Sequence, residues 1–335
     1  MNATIKLENA KHFPVLLNEV ISIISPLYGG TFIDCTFGQG GYSKKILENK
    51  NNKIIAIDRD INSLKVANQF KKKFQNRFDF KNIKFSEISS LDKNISNLKG
   101  IIFDLGYSTT QIKDQTNGLS FDSKGKLNMK MGFNNISADD VINKLGQKEL
   151  AKIFKIFGEE KMSNIISKKI ISFRKNKNVD TEDLVKIINL VKRKKFSKIH
   201  NATKVFQAVR IVVNNEISEL LNGLINSFNL LPIGGIMVVV TFHSIEDKIV
   251  KFLFKNYSEN KNSSRYLPPS KEKKFLFKLI DKKPIIPKER EININPASRS
   301  AKLRYGIKLN NNSNFSELIK KFNHFLETEN LTTKL

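Results

Sequence analysis

Three stretches of the chain concentrate residue types able to do chemistry. In FIDCTFGQGGYS, Asp34 ends a short apolar run, and Gly38, Gly40 and Gly41 follow in a turn ahead of a helix-like segment. Glycines there let the backbone adopt positive φ and approach a ligand closely. The N–H groups opening the next helix suit a carboxylate or phosphate. In KIIAID, Asp58 closes a second apolar run, about twenty residues beyond the turn, where an acid typically receives ribose hydroxyls. In GIIFDLGYS, Asp104 ends a further run, at the strand edge where α/β proteins bind ligands. The dinucleotide fingerprint needs a third glycine where this chain has Ser43, and the P-loop Gly-Lys pair is absent. An acid before the turn and a second ending the next strand better suit S-adenosylmethionine, which has a carboxylate, an ammonium group and a ribose but no pyrophosphate. A dinucleotide enzyme and a tight structural turn remain open as readings of these residues alone.

Two further sites invite a role. His243 and Ser244 follow the apolar strand IMVVVTF. His243 can contact a nucleic acid base; alternatively FHSIED is simply a helix start, with Ser244 and Asp247 as caps. Tyr107 can stack on a base or fill a turn.

These residues need an alternating framework, and the chain supplies one. Strands are expected at Thr31–Cys35, KIIAID, Ile83–Phe85 and Gly100–Gly106, separated by helices over Tyr42–Leu47 and Ile61–Phe74, which implies a doubly wound, mostly parallel sheet. From about Ile112 the strand pattern stops and capped helical stretches follow, among them SADDVINKL and DTEDLVKIINLV. Alternation returns with KVFQAVRIVVNNEISELLNGLINSF, the strand IMVVVTF, a long connection over Asn260–Asn295, the strand SAKLRYGIKL and a C-terminal helix. The expected organisation is an α/β domain in two parts, residues 1–111 and 204–335, split by an all-helical insert at 112–203 that recognises substrate.

Composition narrows the partners. The 335 residues carry 58 Lys+Arg against 32 Asp+Glu, a net charge of +26, which points to a polyanion and most simply to nucleic acid. Basic clusters at Lys192–Lys198, Lys271–Lys274 and Arg299–Arg304 can follow phosphates. A single cysteine, Cys35, excludes an internal disulfide, and four scattered histidines argue against a structural metal. No apolar stretch approaches the ~20 residues that span a bilayer, and no signal peptide is visible, so a cytoplasmic location is expected.

The whole chain also resembles a known family, the bacterial small-subunit ribosomal RNA cytosine-N4 methyltransferases. The matching segments are HFPVLLNEV, DCTFGQGGYS, AIDRD, FDLGYSTTQI, GLSF, KLNMKM, GEEK, ATKVFQAVRIVVNNEI, GGIMVVVTFHSIEDKIVK and NPASRSAKLR, in family order from His12 to Arg304. The resemblance implies a Rossmann-like methyltransferase fold split by a helical insert. It implies S-adenosylmethionine as cofactor and a cytidine of the decoding centre of 16S ribosomal RNA, within the small ribosomal subunit, as substrate. Cofactor contacts would be Gly40, Gly41, Tyr42, Asp58, Ile88, Asp104 and Gln111. Apart from the resemblance, the places of Asp104 and His243 at strand ends make them candidates for contact with the reacting base, and the charge of Arg299, Lys302 and Arg304 makes them candidates for RNA contact. The chain departs from the family pattern at Tyr42, Asn128, Lys130, Asn117–Leu119, Lys204 and Ala297; the lysines keep charge but lose bidentate geometry.

Overall fold

The computed structural model describes residues 14–107, 117–123, 125–192, 200–258, 275–312 and 314–335. Their frame is a seven-stranded sheet: β1 (Gly30–Asp34), β2 (Asn52–Ile57), β3 (Phe78–Lys81), β4 (Leu98–Asp104), β5 (Ile236–Thr241), β6 (Phe277–Lys278) and β7 (Lys302–Lys308). The order is β3-β2-β1-β4-β5-β7-β6; β1 to β5 pair in parallel, and β7 runs antiparallel to both β5 and β6. β1 is buried along its whole length, as expected of a parallel strand covered on both faces. The winding direction reverses between β1 and β4, and in such sheets the crevice at the carboxyl edge of the reversal is the ligand site.

Two expectations shift here. The third strand is Phe78–Lys81 rather than Ile83–Phe85: Phe78 and Phe80 turn into the core, while Asp79 stands out and pairs with Lys81 at 3.0 Å. Phe85 instead opens a 3-10 turn, Phe85–Ser90, and meets the Phe103 ring edge-on at 5.5 Å. Within the expected connection of 260–295, Phe277–Lys278 adds the short edge strand β6.

Helices cover the sheet: α1 (Leu17–Ile24), α2 (Gly41–Ile46) and α3 (Ser63–Phe74) in the first part. Between β4 and the returning sheet lie α4 (Ala138–Lys144), α5 (Gln147–Phe157), α6 (Ser163–Phe173) and α7 (Thr181–Val191), with no strand among the described residues. The predicted caps are in place: Ser137 accepts from Asp140 N–H, and Asp180 from Asp183 N–H. Then come α8 (Thr203–Asn214), α9 (Glu216–Leu230), α10 (Ser244–Asn256), α11 (Glu289–Ile294) and α12 (Ser316–Glu329). α8 and α9 are separated by Asn215 alone, in the left-handed conformation at φ 50°. The cap of α10 is His243, not Ser244, and its capping-box partner is Glu246 rather than Asp247.

α9 is held from both ends by residues distant in sequence. At its start the buried Glu329 carboxylate accepts from Ile217 N–H (2.9 Å) and Ser218 N–H (3.0 Å). At its end the buried Lys308 ammonium donates to the carbonyls of Phe228 and Leu231, both at 2.7 Å. An acid at the amino end and a base at the carboxyl end match the helix dipole and satisfy its orphan groups. Between these anchors Gly223 permits close approach, since a Cβ there would fall 2.5 Å from Phe85.

Burial pushes the Glu329 carboxyl up to about 7, against the opposing effect of its hydrogen bonds. Glu329→Ala leaves two buried N–H groups unpaired, so denaturant titration at pH 5.5 is expected to show a loss of about 1–3 kcal/mol. A carboxyl raised in the folded state binds its proton more tightly there, so its contribution declines as pH climbs through the range from about 4.5 to 7. The gap between wild type and variant should therefore narrow by pH 8, and a gap that widens would contradict the assignment.

Candidate active site

A cavity of about 400 Å³ opens at the carboxyl edge of the sheet, where the winding reverses. Its walls come from the turn after β1, the start of α3, the segment Asp104–Tyr107 after β4, Phe242 after β5 and the 295–297 segment. That volume lies within the ~300–1,000 Å³ typical of small-molecule sites.

The turn is built by two glycines with opposite surroundings. Gly40 has φ 73°, and a Cβ there would fall 2.6 Å from Phe70 and 2.8 Å from Phe37. Its packing against those rings shapes the turn. Gly38 has φ 50° with no close neighbour, leaving the cavity side open. Tyr42, expected at the cofactor, lines the cavity but is 3% exposed, and its hydroxyl donates to the Val15 carbonyl. Gly41 also lines the cavity.

The three acids divide into two braces and one open group. Asp34 is fully buried, accepts from the Ser43 hydroxyl (2.7 Å) and Thr36 N–H (3.3 Å), and does not line the cavity. Burial drives its carboxyl up to about 6. Asp58 lines the cavity and accepts from Gly38 N–H (2.7 Å), Asp60 N–H (2.8 Å) and the Ser63 hydroxyl (3.0 Å). Those three bonds tie the glycine turn to β2 and α3. A carboxylate offers about four lone-pair sites, so capacity remains for a ligand hydroxyl. Burial raises this carboxyl too.

Asp104 differs from both. Its Oδ1 is buried with no hydrogen-bond partner among the described residues, although its own N–H donates to the Thr36 hydroxyl at 2.7 Å. Burial first, then the nearby charges of Asp34 and Glu246, hold its carboxyl well above the usual range. No ion pair to Asp34, Asp58 or Asp104 occurs among the described residues. Arg59 lines the same cavity, but its guanidinium donates to Asn214 O (3.1 Å) and Met131 Sδ (3.4 Å). Those neutral partners leave the Arg59 charge to act on Asp58, whereas the nearby charges felt by Asp104 are acids, so the Asp104 side of the cavity favours a ligand that is cationic and rich in N–H donors.

The remaining expected residues are distributed as follows. His243 does not line the cavity. Its Nδ1 accepts from Glu246 N–H (3.4 Å), and its Nε2 lies 3.1 Å from Glu246 Oε1 and 3.9 Å from Glu216 Oε2. Glu216, His243 and Glu246 are close enough to hold a metal ion. Yet the Arg210 guanidinium already binds Glu216 through two bonds of 2.8 and 2.9 Å, which balances that carboxylate. Ile88 is fully buried in the core, off the cavity wall. Gln111 lies outside the described residues. Lys130, a departure from the family pattern, donates to Asn135 O at 2.7 Å within its own loop.

The basic cluster 299–304 does not present three free cations. Lys302 and Arg304 both bind Asp247, each at 2.8 Å, and the Arg304 side chain is only 11% exposed. Arg299 is exposed and has no ion pair among the described residues. Most of Lys192–Lys198 and all of Lys271–Lys274 lie outside the described residues. Sequence reasoning missed the engagement of Arg210 with Glu216 and, face-on, with the Tyr107 ring at 4.6 Å. It also missed Asn214, which bonds Met129 O (2.8 Å) and Met131 N–H (2.8 Å) and so ties the KLNMKM segment to α8. A buried polar pair at the end of an otherwise apolar helix was the available signal.

Comparison with known proteins identifies the family. Residues 9–309 match the model of the MraW methylase family. A protein of Orientia tsutsugamushi (strain Ikeda) named Ribosomal RNA small subunit methyltransferase H is 38% identical over 312 residues, covering 90% of this chain and 99% of its own. Proteins of that name from Rickettsia bellii (strain OSU 85-389) and Ehrlichia canis (strain Jake) are each 40% identical, covering 89% of this chain and 99% and 100% of theirs. A crystal structure of an rRNA methylase from Streptococcus thermophilus aligns over 91% of this chain and 99% of its own with 10% identity and a TM-score of 0.39, too distant to inform the geometry. With a family match over residues 9–309 and relatives matched over almost their whole length, the chain belongs to the MraW methylase family.

Proposed function

We propose that this protein transfers a methyl group from S-adenosylmethionine to the exocyclic N4 amine of a cytidine in the decoding centre of 16S ribosomal RNA, in the small ribosomal subunit. Membership of a methylase family and relatives named for the small-subunit RNA support the substrate class. The observation that carries the reading is the buried Oδ1 of Asp104, without a hydrogen-bond partner among the described residues, on the wall of the cavity. When bound, the cofactor supplies an electrophilic methyl on a positively charged sulfur.

The residues present fit that ligand. Asp58 keeps capacity for the ribose hydroxyls, Gly38 leaves open space beside the turn, and Asp104 offers Oδ1 to an N–H donor of the bound ligands. The target amine needs positioning rather than a strong base, because its lone pair is delocalised into the ring and the alkylated amine loses its proton readily. The cavity's work is therefore to hold an extruded base dry and oriented. The helical segment at 112–203 recognises substrate in this reading, and Arg299 contacts phosphate, while Lys302 and Arg304 fix the strand that carries it.

Mass-spectrometric mapping of cytidine methylation in small-subunit RNA, with and without this gene, tests the proposal. Loss of one N4-methyl mark on deletion is expected, restored by wild type and not by Asp58→Ala; an unchanged map would refute it. Calorimetry should show cofactor affinity at least about tenfold weaker for Asp58→Ala, which removes both the ribose acceptor and the brace on Gly38.

Affinity should also depend on pH in a stated direction. A cationic ligand favours ionised Asp104, whose carboxyl is raised in the free protein, so binding releases a proton below that free value. Cofactor affinity should fall as pH is lowered, by up to about tenfold per pH unit, and Asp104→Asn should flatten the profile. Arg299→Glu should weaken RNA binding and reduce the magnitude of the log–log salt slope by about one. Arg304→Glu should instead lower the melting temperature, by breaking its pair with Asp247.

A further inference from the structure

Tyr107 stands three residues beyond Asp104, after Gly106 at φ 103°, and lines the cavity while remaining 43% exposed. Its position on the cavity wall leaves part of the ring open to a ligand. One face already has a partner: the Arg210 guanidinium lies 4.6 Å from the ring centroid. Arg210 is itself 8% exposed and cannot move freely, because Glu216 grips it through two bonds at the start of α9. Glu216 is in turn close to His243, which is held by Glu246. The result is a ring with a charge-balanced guanidinium over one face.

We infer that Tyr107, backed by Arg210, is the shelf on which the extruded target base stacks, so that its edge is presented beside Asp104. This rests on the proposed cytidine methylation and goes beyond it by naming the residue that orients the base. Stacking is tolerant of base identity, since every base has a π face, so the shelf supplies orientation and the cavity edge supplies selection. The guanidinium over one face of the ring holds it by cation–π attraction and leaves the other face for the base, with the charge balanced by Glu216. Tyr107 contacts substrate in this scheme, and Arg210 is a positioning residue.

The test uses small ribosomal subunits purified from cells lacking this gene, with intact enzyme and variants Tyr107→Phe, Tyr107→Leu and Arg210→Lys. Tyr107→Leu is expected to lower kcat by roughly 5- to 150-fold, with KM for subunits little changed because phosphate contacts set it. Cofactor affinity by calorimetry and the melting temperature should stay near wild type. Tyr107→Phe should restore most of the rate, since the ring and not the hydroxyl does the stacking. Arg210→Lys should slow wild type but add nothing in the Tyr107→Leu background, the non-additivity expected of residues acting as a unit. Tyr107→Leu with wild-type kcat, Tyr107→Phe as slow as Tyr107→Leu, or a loss of rate matched by loss of cofactor affinity each overturns the shelf alone. Fully additive effects of the two positions remove Arg210 from it. Wild-type enzyme that leaves cytidine N4 unmethylated overturns the functional reading, and the shelf with it.

Discussion

Parallel strands deliver carboxylates to one edge of the sheet, and burial there makes each of them costly to ionise. Everything at the site follows from how that cost is met. Asp34 and Asp58 are given hydroxyl and N–H donors from the glycine turn, α2 and the start of α3, and in accepting them they fix the turn. Asp104 is given no donor at its Oδ1 among the described residues. Raised carboxyls gathered in one crevice are a common mark of a functional site, and at Asp104 the deficit is one of donors and of nearby positive charge.

The distribution of charge makes a related point. The chain as a whole carries +26, yet the cavity is walled by acids. Long-range attraction for a polyanion and local preference for a cationic ligand can coexist, because exposed charges act through screened solvent while desolvated ones act at short range. Not every cation is free at the surface: Lys302 and Arg304 share Asp247, Arg210 is paired with Glu216, and Lys308 caps a helix from inside the core.

α9 links these regions. Its amino end receives Glu329 from the C-terminal helix and presents Glu216 to Arg210, while its carboxyl end is closed by Lys308 from β7. The last part of the chain therefore holds in place a helix that helps build the rim of a cavity formed mainly by the first hundred residues. Both capping groups are buried and satisfied, so they act as fixed supports rather than as screened surface charges.

By itself the sequence determined the doubly wound alternation, the glycine turn, the acids ending β2 and β4, and the caps at Ser137 and Asp180, because each is set by neighbours within a few positions. The resemblance of successive segments to one family added the chemistry. Tertiary structure decided what spacing cannot express. The third strand went to Phe78–Lys81 because edge burial, not apolar content, chose it. The cap of α10 went to His243, whose ring reaches Glu246 N–H, rather than to the hydroxyl beside it. Arg304 became an internal ion pair, Asp34 a brace and Asp104 the open acceptor, since a side chain's role depends on which partners the fold brings within about 3 Å; Arg304 finds Asp247 57 residues away, and even the nearby bond of Ser43 to Asp34 forms only once the turn has folded.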